Sequence, residues 1–257
     1  MKNIIKLSAA ACSDIGLYKK TNQDSLIIKH AAGCKYEILM AAVCDGMGGL
    51  DKGELASATV IRALSKWFEW EILNSPQRKS IRAAAESWVY MLREQNKVLS
   101  AYGKAQKMRL GTTFTGVLFI NNKYMAVHVG DSRFYRIDTS IRQLTTDHTF
   151  VARETAMGNM TKEQARIDKR RNLLLQCIGA SEDIEPEILF GKVKKGAYLL
   201  CTDGFRHEIT EDEMYRELMP QLLTDKRAMH DRCLNLIERI KKRNERDNIS
   251  VLLIRAE

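Results

Sequence analysis

Five aspartates in this chain lie at the ends of apolar segments or beside glycine, although they are far apart in the sequence. An apolar run ends at Asp45 in the stretch AAVCDGMGG, and the same pattern recurs at Asp203 in LLCTDGF. One Asp-Gly pair after apolar residues is a common turn signal, because glycine adopts positive φ angles. A set of such aspartates indicates a shared site, and the members are Asp24, Asp45, Asp131, Asp203 and Asp247.

The chemistry that suits such a set is metal binding. Carboxylates held close together repel one another, so their ionised forms need compensating positive charge. Few histidines and no paired cysteines flank these aspartates, which disfavours zinc. Oxygen ligands suit Mg²⁺ or Mn²⁺, and the glycine after Asp45 would let a backbone carbonyl approach an ion. Two such ions can activate water and hold a phosphoryl group, so the residues indicate a two-metal phosphoester hydrolase.

The elements that must position these aspartates follow from hydrophobic periodicity. Apolar residues at helical spacing predict helices over residues 52–73, 77–101 and about 224–243. Asn121-Asn122 joins two strand-like segments and predicts a hairpin turn. Short apolar runs predict strands at residues 3–12, 25–29, 36–44, 112–120, 124–129, 134–138, 142–145, 197–201 and 249–254.

The order of these elements indicates the fold class. Helices fall in blocks between runs of adjacent strands, which favours antiparallel sheets covered by helices over a doubly wound parallel sheet. Antiparallel strands would bring the five aspartates together at one edge of a sheet. The 257 residues contain no internal repeat and no evident linker, so we expect a single domain over residues 1–257.

Composition and charge narrow the classes of partner. A chain with 45% hydrophobic and 28% charged residues is typical of a globular protein, and no apolar run is long enough to span a membrane. Six cysteines without C-x-x-C spacing favour free thiols in a reducing cytoplasm. The net charge of +9 is concentrated at residues 162–171, 192–195 and 226–246. Acidic residues interleave there and stacking aromatics are missing, so nucleic acid is disfavoured, whereas attraction of a phosphorylated partner stays open.

Eight short motifs occur in order from about residue 9 to residue 254. They are NQD, VCDGMGG…GELAS, GTTFTGVL, VGDSRFYR, LTTDH, CIGA, LLCTDGF and RDNISVLLI. In this order and spacing they resemble the metal-dependent serine/threonine protein phosphatases of type 2C, the PPM family, in their bacterial branch. The resemblance implies an α+β fold, a four-layer α-β-β-α sandwich with two central antiparallel sheets flanked by helices.

The resemblance also implies a role for each site residue. Asp45 would bridge two Mn²⁺ or Mg²⁺ ions, and the Gly46 carbonyl would complete the ligands of one of them. Asp203 and Asp247 would hold the other ion. Asp24 would orient metal-bound water, so it belongs both to the catalytic residues and to the metal ligands.

Two further features are implied by the family. In bacterial members a third ion is held by the aspartate of the GDSR motif, here Asp131, together with the residue at Asp203. A Gly-Asp-Ser turn also makes sense without metal, so a structural role for Asp131 stays open. The segment 150–171 would form a flap beside the site that influences substrate choice. Asp147 and His148 of the LTTDH motif are interpreted as a structural hydrogen-bonding pair.

The sequence departs from the family pattern at two positions. The family usually has a phosphate-binding arginine three residues before the asparagine of NQD, and this chain has Lys19 there. Lysine keeps the charge but lacks the two parallel donors of arginine, and the neighbouring Lys20 is an alternative phosphate ligand. Met47 stands where some relatives carry a histidine that is proposed to protonate the leaving group, so water would supply that proton.

Three functions are compatible with these observations. We favour a cytoplasmic Mn²⁺- or Mg²⁺-dependent phosphatase, whose phosphoserine and phosphothreonine proteins would be substrates of a serine/threonine kinase. Metal-activated water would attack phosphorus directly, and Lys19 would help to hold the phosphate. The alternative is a non-enzymatic phosphatase-fold regulator that binds a kinase or another signalling partner, and the intact aspartate set argues against it. A metal-dependent nuclease is motivated by the charge of +9, but the missing stacking residues count against it.

Overall fold

Two antiparallel sheets form the centre of the computed structural model, which describes residues 4–47, 52–74 and 80–257. In these residues the strands are β1 (Leu7–Asp14), β2 (Ser25–Gly33), β3 (Tyr36–Cys44), β4 (Phe114–Ile120), β5 (Lys123–Val129), β6 (Arg133–Ile137), β7 (Ile141–Gln143), β8 (Glu187–Lys192), β9 (Gly196–Cys201) and β10 (Ile249–Ala256). The first sheet has the strand order β1-β10-β9-β6-β7, and the second has the order β2-β3-β4-β5-β8.

Helices flank both sheets. The α-helices of the described residues are α1 (Gly53–Trp67), α2 (Ile81–Gln106), α3 (Phe150–Ala156), α4 (Lys162–Ile167), α5 (Asp203–Arg206), α6 (Glu211–Leu218) and α7 (Lys226–Lys242). A π-helical segment, Phe68–Leu73, continues α1. Five helices begin at a side chain that accepts a backbone hydrogen bond and so satisfies an otherwise free donor; these caps are Ser80, Thr149, Thr161, Thr210 and Asp225.

In the described part of the chain, three hydrophobic clusters lie between four layers of helices and sheets. Helices α1 and α2 pack on the outer face of the second sheet around the fully buried Trp88. The inner faces of the two sheets meet through Phe119, Phe134 and Tyr198. Helices α6 and α7 cover the outer face of the first sheet and bury side chains such as Leu236. The fold is therefore an α+β, four-layer α-β-β-α sandwich, and the expected fold class is confirmed.

The long elements agree with the sequence predictions. Strand β3 has the predicted bounds 36–44, and the helix predicted over 52–73 is α1 with its π-helical continuation. The predicted turn at Asn121-Asn122 is confirmed, because Ile120 pairs with Lys123 and Asn121 has a φ of 51°. The first residue of the strand predicted over 3–12, and residues 77–79 of the helix predicted over 77–101, lie outside the described residues.

Strand β8 and the shorter helices were not predicted. Strand β8 is an edge strand, and its sequence EILFGK places leucine and phenylalanine next to each other, which obscures the alternation. Helices α3 to α6 have only four to eight residues each, too few for a helical period to stand out. The missed elements therefore carry weak local signals and depend on tertiary packing.

Candidate active site

The second sheet brings Asp24 and Asp45 to one of its ends. Asp24 immediately precedes β2, and Asp45 immediately follows β3. Ser25 and Cys44 are paired in the antiparallel register of these two strands, so the next residues outward on each strand are neighbours. Two residues that are 21 positions apart in sequence are thus placed side by side by strand pairing.

The first sheet brings Asp203 and Asp247 to the same end of the molecule. Asp203 comes two residues after β9, and Asp247 comes two residues before β10. Strands β9 and β10 pair through Cys201 and Val251. The hydroxyl of Thr202 donates to Oδ2 of Asp24 at 3.0 Å and so joins the two sheets. We call this end of the two sheets, with Asp24, Asp45, Asp203 and Asp247, the aspartate edge.

Asp131 lies in the connection from β5 to β6, close to the aspartate edge. Arg133 of β6 pairs with Cys201 of β9 in antiparallel register. Asp131 lies two residues before Arg133, and Asp203 lies two residues after Cys201. In an antiparallel pair these two positions are on the same side, so Asp131 and Asp203 lie near each other. The predicted grouping of distant aspartates thus rests on strand registers that connect all five of them.

The backbone of Asp45 is fixed by two threonines of the GTT motif. Asp45 N donates to Thr113 Oγ1 at 3.0 Å, and Thr113 N donates to the Asp45 carbonyl at 2.9 Å. The Thr112 hydroxyl donates to the same carbonyl at 2.9 Å. Thr113 also shares a hydrogen bond with Ser132 of the GDSR motif at 2.8 Å. The threonines therefore hold the carboxylate-bearing backbone in place.

Glycine is required at position 46 because three backbone segments meet there. Gly46 N donates to the Gln23 carbonyl at 3.1 Å. A Cβ at Gly46 would lie 2.5 Å from that same oxygen and would also collide with the carbonyl of Gly53. Any side chain would force these segments apart, since such approaches lie well inside van der Waals contact.

Burial and mutual repulsion shift the titration of the buried carboxyls. Burial raises the pKa of Asp24 to about 7, and hydrogen bonds from Ser250 and Thr202 oppose the shift. Burial also raises the pKa of Asp45 well above its ordinary value, and the charge of Asp24 adds to the effect. For Asp203 burial acts in the same direction, but interactions with His207 and Arg206 hold its pKa below the ordinary value.

Divalent cations fit this arrangement. Asp24 Oδ1 and Asp203 Oδ1 are buried and accept no hydrogen bond within the described residues. A buried carboxylate oxygen without a partner is costly, and a cation removes that cost. The donor atoms at the aspartate edge are oxygens, which suits Mg²⁺ and Mn²⁺. Asp45, Asp203, Asp247, Asp24 and the Gly46 carbonyl are the residues that could hold such ions.

Lys19 contacts the aspartate edge, whereas the neighbouring Lys20 is exposed to solvent. The Nζ atom of Lys19 lies 2.7 Å from Oδ1 of Asp247. Burial would lower the pKa of Lys19, but Asp247 together with Asp45 and Asp203 raises it above its ordinary value. Lys19 is partly buried and Lys20 is exposed. A cationic side chain thus lies directly beside a carboxylate of the aspartate edge.

Asp147 and His148 each form hydrogen bonds with residues from other parts of the chain. Arg133 donates two hydrogen bonds to Asp147, from Nε to Oδ1 at 2.9 Å and from Nη2 to Oδ2 at 2.7 Å. Nδ1 of His148 accepts from the backbone N–H of Gly130 at 3.1 Å and from Gln176 at 2.9 Å. These contacts tie the LTTDH motif to the GDSR turn.

A second group of potential metal ligands was not expected from the sequence. The ligand atoms of His128, His148 and Glu187 lie within 4.8 Å of one another. His128 is fully buried, and its ring nitrogens are hydrogen-bonded to the Thr115 hydroxyl and the Thr146 carbonyl. Burial lowers the pKa of His128 to about 3, so the ring is neutral at ordinary pH. Because protein groups already use both its nitrogens, we interpret His128 as structural.

Arg206 was missed by the sequence analysis, although it contacts a predicted ligand. Its Nη2 atom lies 3.2 Å from Oδ2 of Asp131, and Asp131 is nearly fully buried. Burial raises the pKa of Asp131 to about 7, together with the charge of Asp203, while Arg206 opposes the shift. The signal in the sequence was the arginine three residues after Asp203 in TDGFR.

The segment predicted as a flap contains helices α3 and α4. Phe150 N donates to the Leu173 carbonyl at 2.9 Å, which ties the start of the segment to the chain just after it. Arg170 lies over the ring of Phe150, 4.2 Å from its centroid, and also pairs with Asp168. A cavity beside α3 is lined by His148, Gln176 and neighbouring residues. The segment is thus folded and lies next to the LTTDH motif.

Comparison with known proteins identifies the class to which this fold and site belong. The profile of the protein phosphatase 2C family matches residues 18–236. A serine/threonine phosphatase of Listeria monocytogenes is 30% identical over 82% of this chain and 82% of its own length. The chain therefore belongs to the protein phosphatase 2C family, and its enzyme class is that of the protein serine/threonine phosphatases.

Solved structures extend the same likeness to the whole fold. The serine/threonine phosphatase Stp1 of Staphylococcus aureus covers 100% of this chain and 98% of its own, with a TM-score of 0.86 and 26% identity. The catalytic domain of the phosphatase PstP, in complex with two manganese ions, has a TM-score of 0.78 and 29% identity, over 99% of both chains. The expected bacterial branch is confirmed.

In the described part of the chain, no helix is long and apolar enough to cross a membrane.

Proposed function

We propose that this protein is a divalent-metal-dependent phosphatase that hydrolyses phosphoserine and phosphothreonine in proteins by direct attack of water. The observation that carries the proposal is the aspartate edge, where four carboxylates from two sheets converge and two buried oxygens have no partner among the described residues. The manganese ions of the related PstP domain support the same assignment.

The proposed ligands follow from the positions of the residues. Asp45 with the Gly46 carbonyl, Asp203 and Asp247 would hold two Mn²⁺ or Mg²⁺ ions, with Asp24 beside them. Such ions lower the pKa of water and neutralise charge on a phosphoryl group. The Thr202 hydroxyl orients Asp24 by donating to its Oδ2 atom, which leaves the buried Oδ1 atom without a hydrogen-bond partner among the described residues.

The other residues of the site act on substrate. Lys19 would bind a phosphate oxygen through Nζ, while Asp247 keeps that ammonium in place. Met47 carries no transferable proton, so the leaving serine or threonine oxygen would take its proton from water. No covalent link between phosphate and protein is required, because the attacking group is water.

The proposed substrates are cytoplasmic phosphoproteins that a serine/threonine kinase has modified. We infer no membrane or nucleic-acid partner. The second candidate is a non-enzymatic regulator that uses the same fold to bind a kinase. The unpartnered Asp24 and Asp203 oxygens favour the enzyme, since a binding module would have no need of uncompensated buried carboxylates.

The test is hydrolysis of a phosphothreonine peptide with and without Mn²⁺, alongside Mn²⁺ binding by calorimetry. We expect Mn²⁺-dependent turnover in the wild type and a loss of well over ~100-fold in kcat for Asp45→Asn, since even outer metal partners typically cost 10–100-fold. Asp212→Asn, an exposed aspartate of α6, is the matched control. Tight Mn²⁺ binding without turnover favours the regulator, and full activity of Asp45→Asn contradicts the two-metal assignment.

A further inference from the structure

The carboxylate of Asp131 already has a cationic partner inside the protein. Arg206 Nη2 lies 3.2 Å from Asp131 Oδ2 and 3.2 Å from the Asp131 backbone oxygen. The side chains of Arg206 and Asp131 are only 13% and 8% exposed. A charge-assisted contact that is so well shielded offsets part of the charge of Asp131 without any bound ion.

Arg206 is also adjacent to Asp203, the other carboxylate that a third metal ion would need. Helix α5 begins at Asp203 and ends at Arg206, so the two residues lie three positions apart on one helical turn. Side chains at this spacing are neighbours on the same helix face. Arg206 therefore contacts Asp131 from the same helical turn that carries Asp203.

Two arginine side chains lie beside Asp131 and Asp147. Arg133 pairs with Asp147 at 2.7 Å, and Arg206 pairs with Asp131 while lying 3.8 Å from Asp147. Two guanidinium groups thus face two carboxylates. An arginine does not lose its proton in a protein, so both guanidinium charges persist at every ordinary pH. A divalent cation entering beside Asp131 would meet two fixed positive charges and a carboxylate oxygen already in use.

We propose that Arg206 replaces the third divalent ion of the family as a fixed cation beside Asp131, on the helical turn that carries Asp203. The protein would then bind two divalent ions at the aspartate edge, and Asp131 would be a partner of Arg206 and not a metal ligand. The inference rests on the proposed two-ion function of the same site. It differs from the metal role that the sequence resemblance implies for Asp131.

The test is a count of bound Mn²⁺ per chain by equilibrium dialysis, with the affinity of each ion from calorimetry. We expect about two ions in the wild type and about three in Arg206→Ala, where Asp131 and Asp203 lose their built-in cation. Arg206→Lys keeps the positive charge and should stay at two. The double variant Arg206→Ala/Asp131→Asn removes the new ligand and should return to two.

If Arg206→Ala does not fold, ion counts for the wild type and Asp131→Asn still test the proposal. Three ions in the wild type, falling to two in Asp131→Asn, would overturn the role of Arg206 and leave the phosphatase proposal intact. An unchanged count of two ions in a folded Arg206→Ala protein would also overturn it. No Mn²⁺ binding by the wild type would instead defeat the two-metal function itself, and this inference with it.

Discussion

Lys19 and Asp247 form an ion pair in which Nζ lies 2.7 Å from Oδ1. The pair joins the candidate phosphate ligand to a candidate metal ligand, although the two residues are far apart in the sequence. The side chains are 27% exposed for Lys19 and 38% exposed for Asp247, so solvent screens this contact in part. Replacing Lys19 is therefore expected to weaken phosphate binding most. It should have a smaller effect on the position of the Asp247 carboxylate.

Replacing Lys19 should weaken phosphate binding. A charge-assisted hydrogen bond contributes roughly 1.5–3 kcal/mol, so Lys19→Ala should lower kcat/KM for a phosphopeptide about 10–100-fold. KM should rise and inhibition by free phosphate should weaken. Lys19→Arg should keep or improve activity, because it supplies two parallel donors. Steady-state kinetics at fixed Mn²⁺ measure all three effects.

Lys20→Ala is the control for this series, because Lys20 is exposed and adjacent in sequence. It should behave as the wild type. A defect in Lys20→Ala with a normal Lys19→Ala would show that Lys20 holds the phosphate. Normal kinetics in both variants would assign phosphate binding to the metal ions alone.

The buried carboxyl of Asp24 predicts an unusual pH dependence of stability in the metal-free protein. Burial raises its pKa from 3.8 to about 7. Because the folded state holds this proton more tightly than the unfolded state, the stabilisation is complete below about pH 4 and is lost as pH rises to 7. Asp24→Asn removes this dependence. The variant should therefore gain stability relative to wild type over that range, by on the order of 4 kcal/mol at most.

Urea unfolding in the presence of a chelator, at pH 4.5 and pH 7.5, measures this difference. With saturating Mn²⁺ the order should reverse at pH 7.5, since the ion stabilises the ionised wild-type carboxylate and binds the amide weakly. A difference between variant and wild type that is equal at both pH values without metal would contradict the assigned burial effect.

Gly46→Ala should damage both stability and metal binding. The new methyl group would lie 2.5 Å from the Gln23 carbonyl, and the backbone segments there have no room to separate without moving Asp45. We expect a loss of several kcal/mol in unfolding free energy, at the upper end of overpacking effects. Thermal unfolding and Mn²⁺ calorimetry measure the two consequences.

Gly158→Ala is the comparison for that variant, since its φ is +76° and a Cβ there meets nothing within 4 Å. Backbone strain alone should cost about 1–2 kcal/mol and leave Mn²⁺ affinity unchanged. Equal losses in both variants would mean that crowding at Gly46 has no special effect on the site.

The basic flap segment predicts salt-sensitive recognition of protein substrates. Lys162, Arg166 and Lys169 are exposed on and after α4. If they attract acidic phosphoproteins, kcat/KM for such a substrate should fall as salt is added, while an aryl phosphate should respond much less. Lys169→Glu should reduce the salt effect, and Arg227→Glu, on the exposed face of α7, should not. Equal salt sensitivity for both substrates would contradict steering by the flap.

Strand ends and glycines made the aspartate edge predictable, whereas the contacts among its residues were not. Asp45 and Asp203 each follow an apolar strand, which is a local signal that a sequence displays directly. The role of Arg206 depends on the pairing of β6 with β9 and on a helix of four residues. Strand pairing leaves no periodic pattern in the sequence, and a helix of four residues is too short to show one. The same holds for the Lys19–Asp247 pair, which exists only when distant strands have taken their register.

The position of β10 has a consequence for how the chain acquires its structure in time. Strand β10 inserts between β1 and β9, so it is the sheet partner of β1, although almost the whole described chain separates them. The contacts that close the aspartate edge span 178 residues from Asp24 to Thr202 and 225 residues from Gln23 to Asn248. Closing such long loops costs entropy before any contact forms. During synthesis and refolding alike, β1 cannot pair into the sheet until β10 is available. Catalytic activity should therefore appear only after most secondary structure has formed.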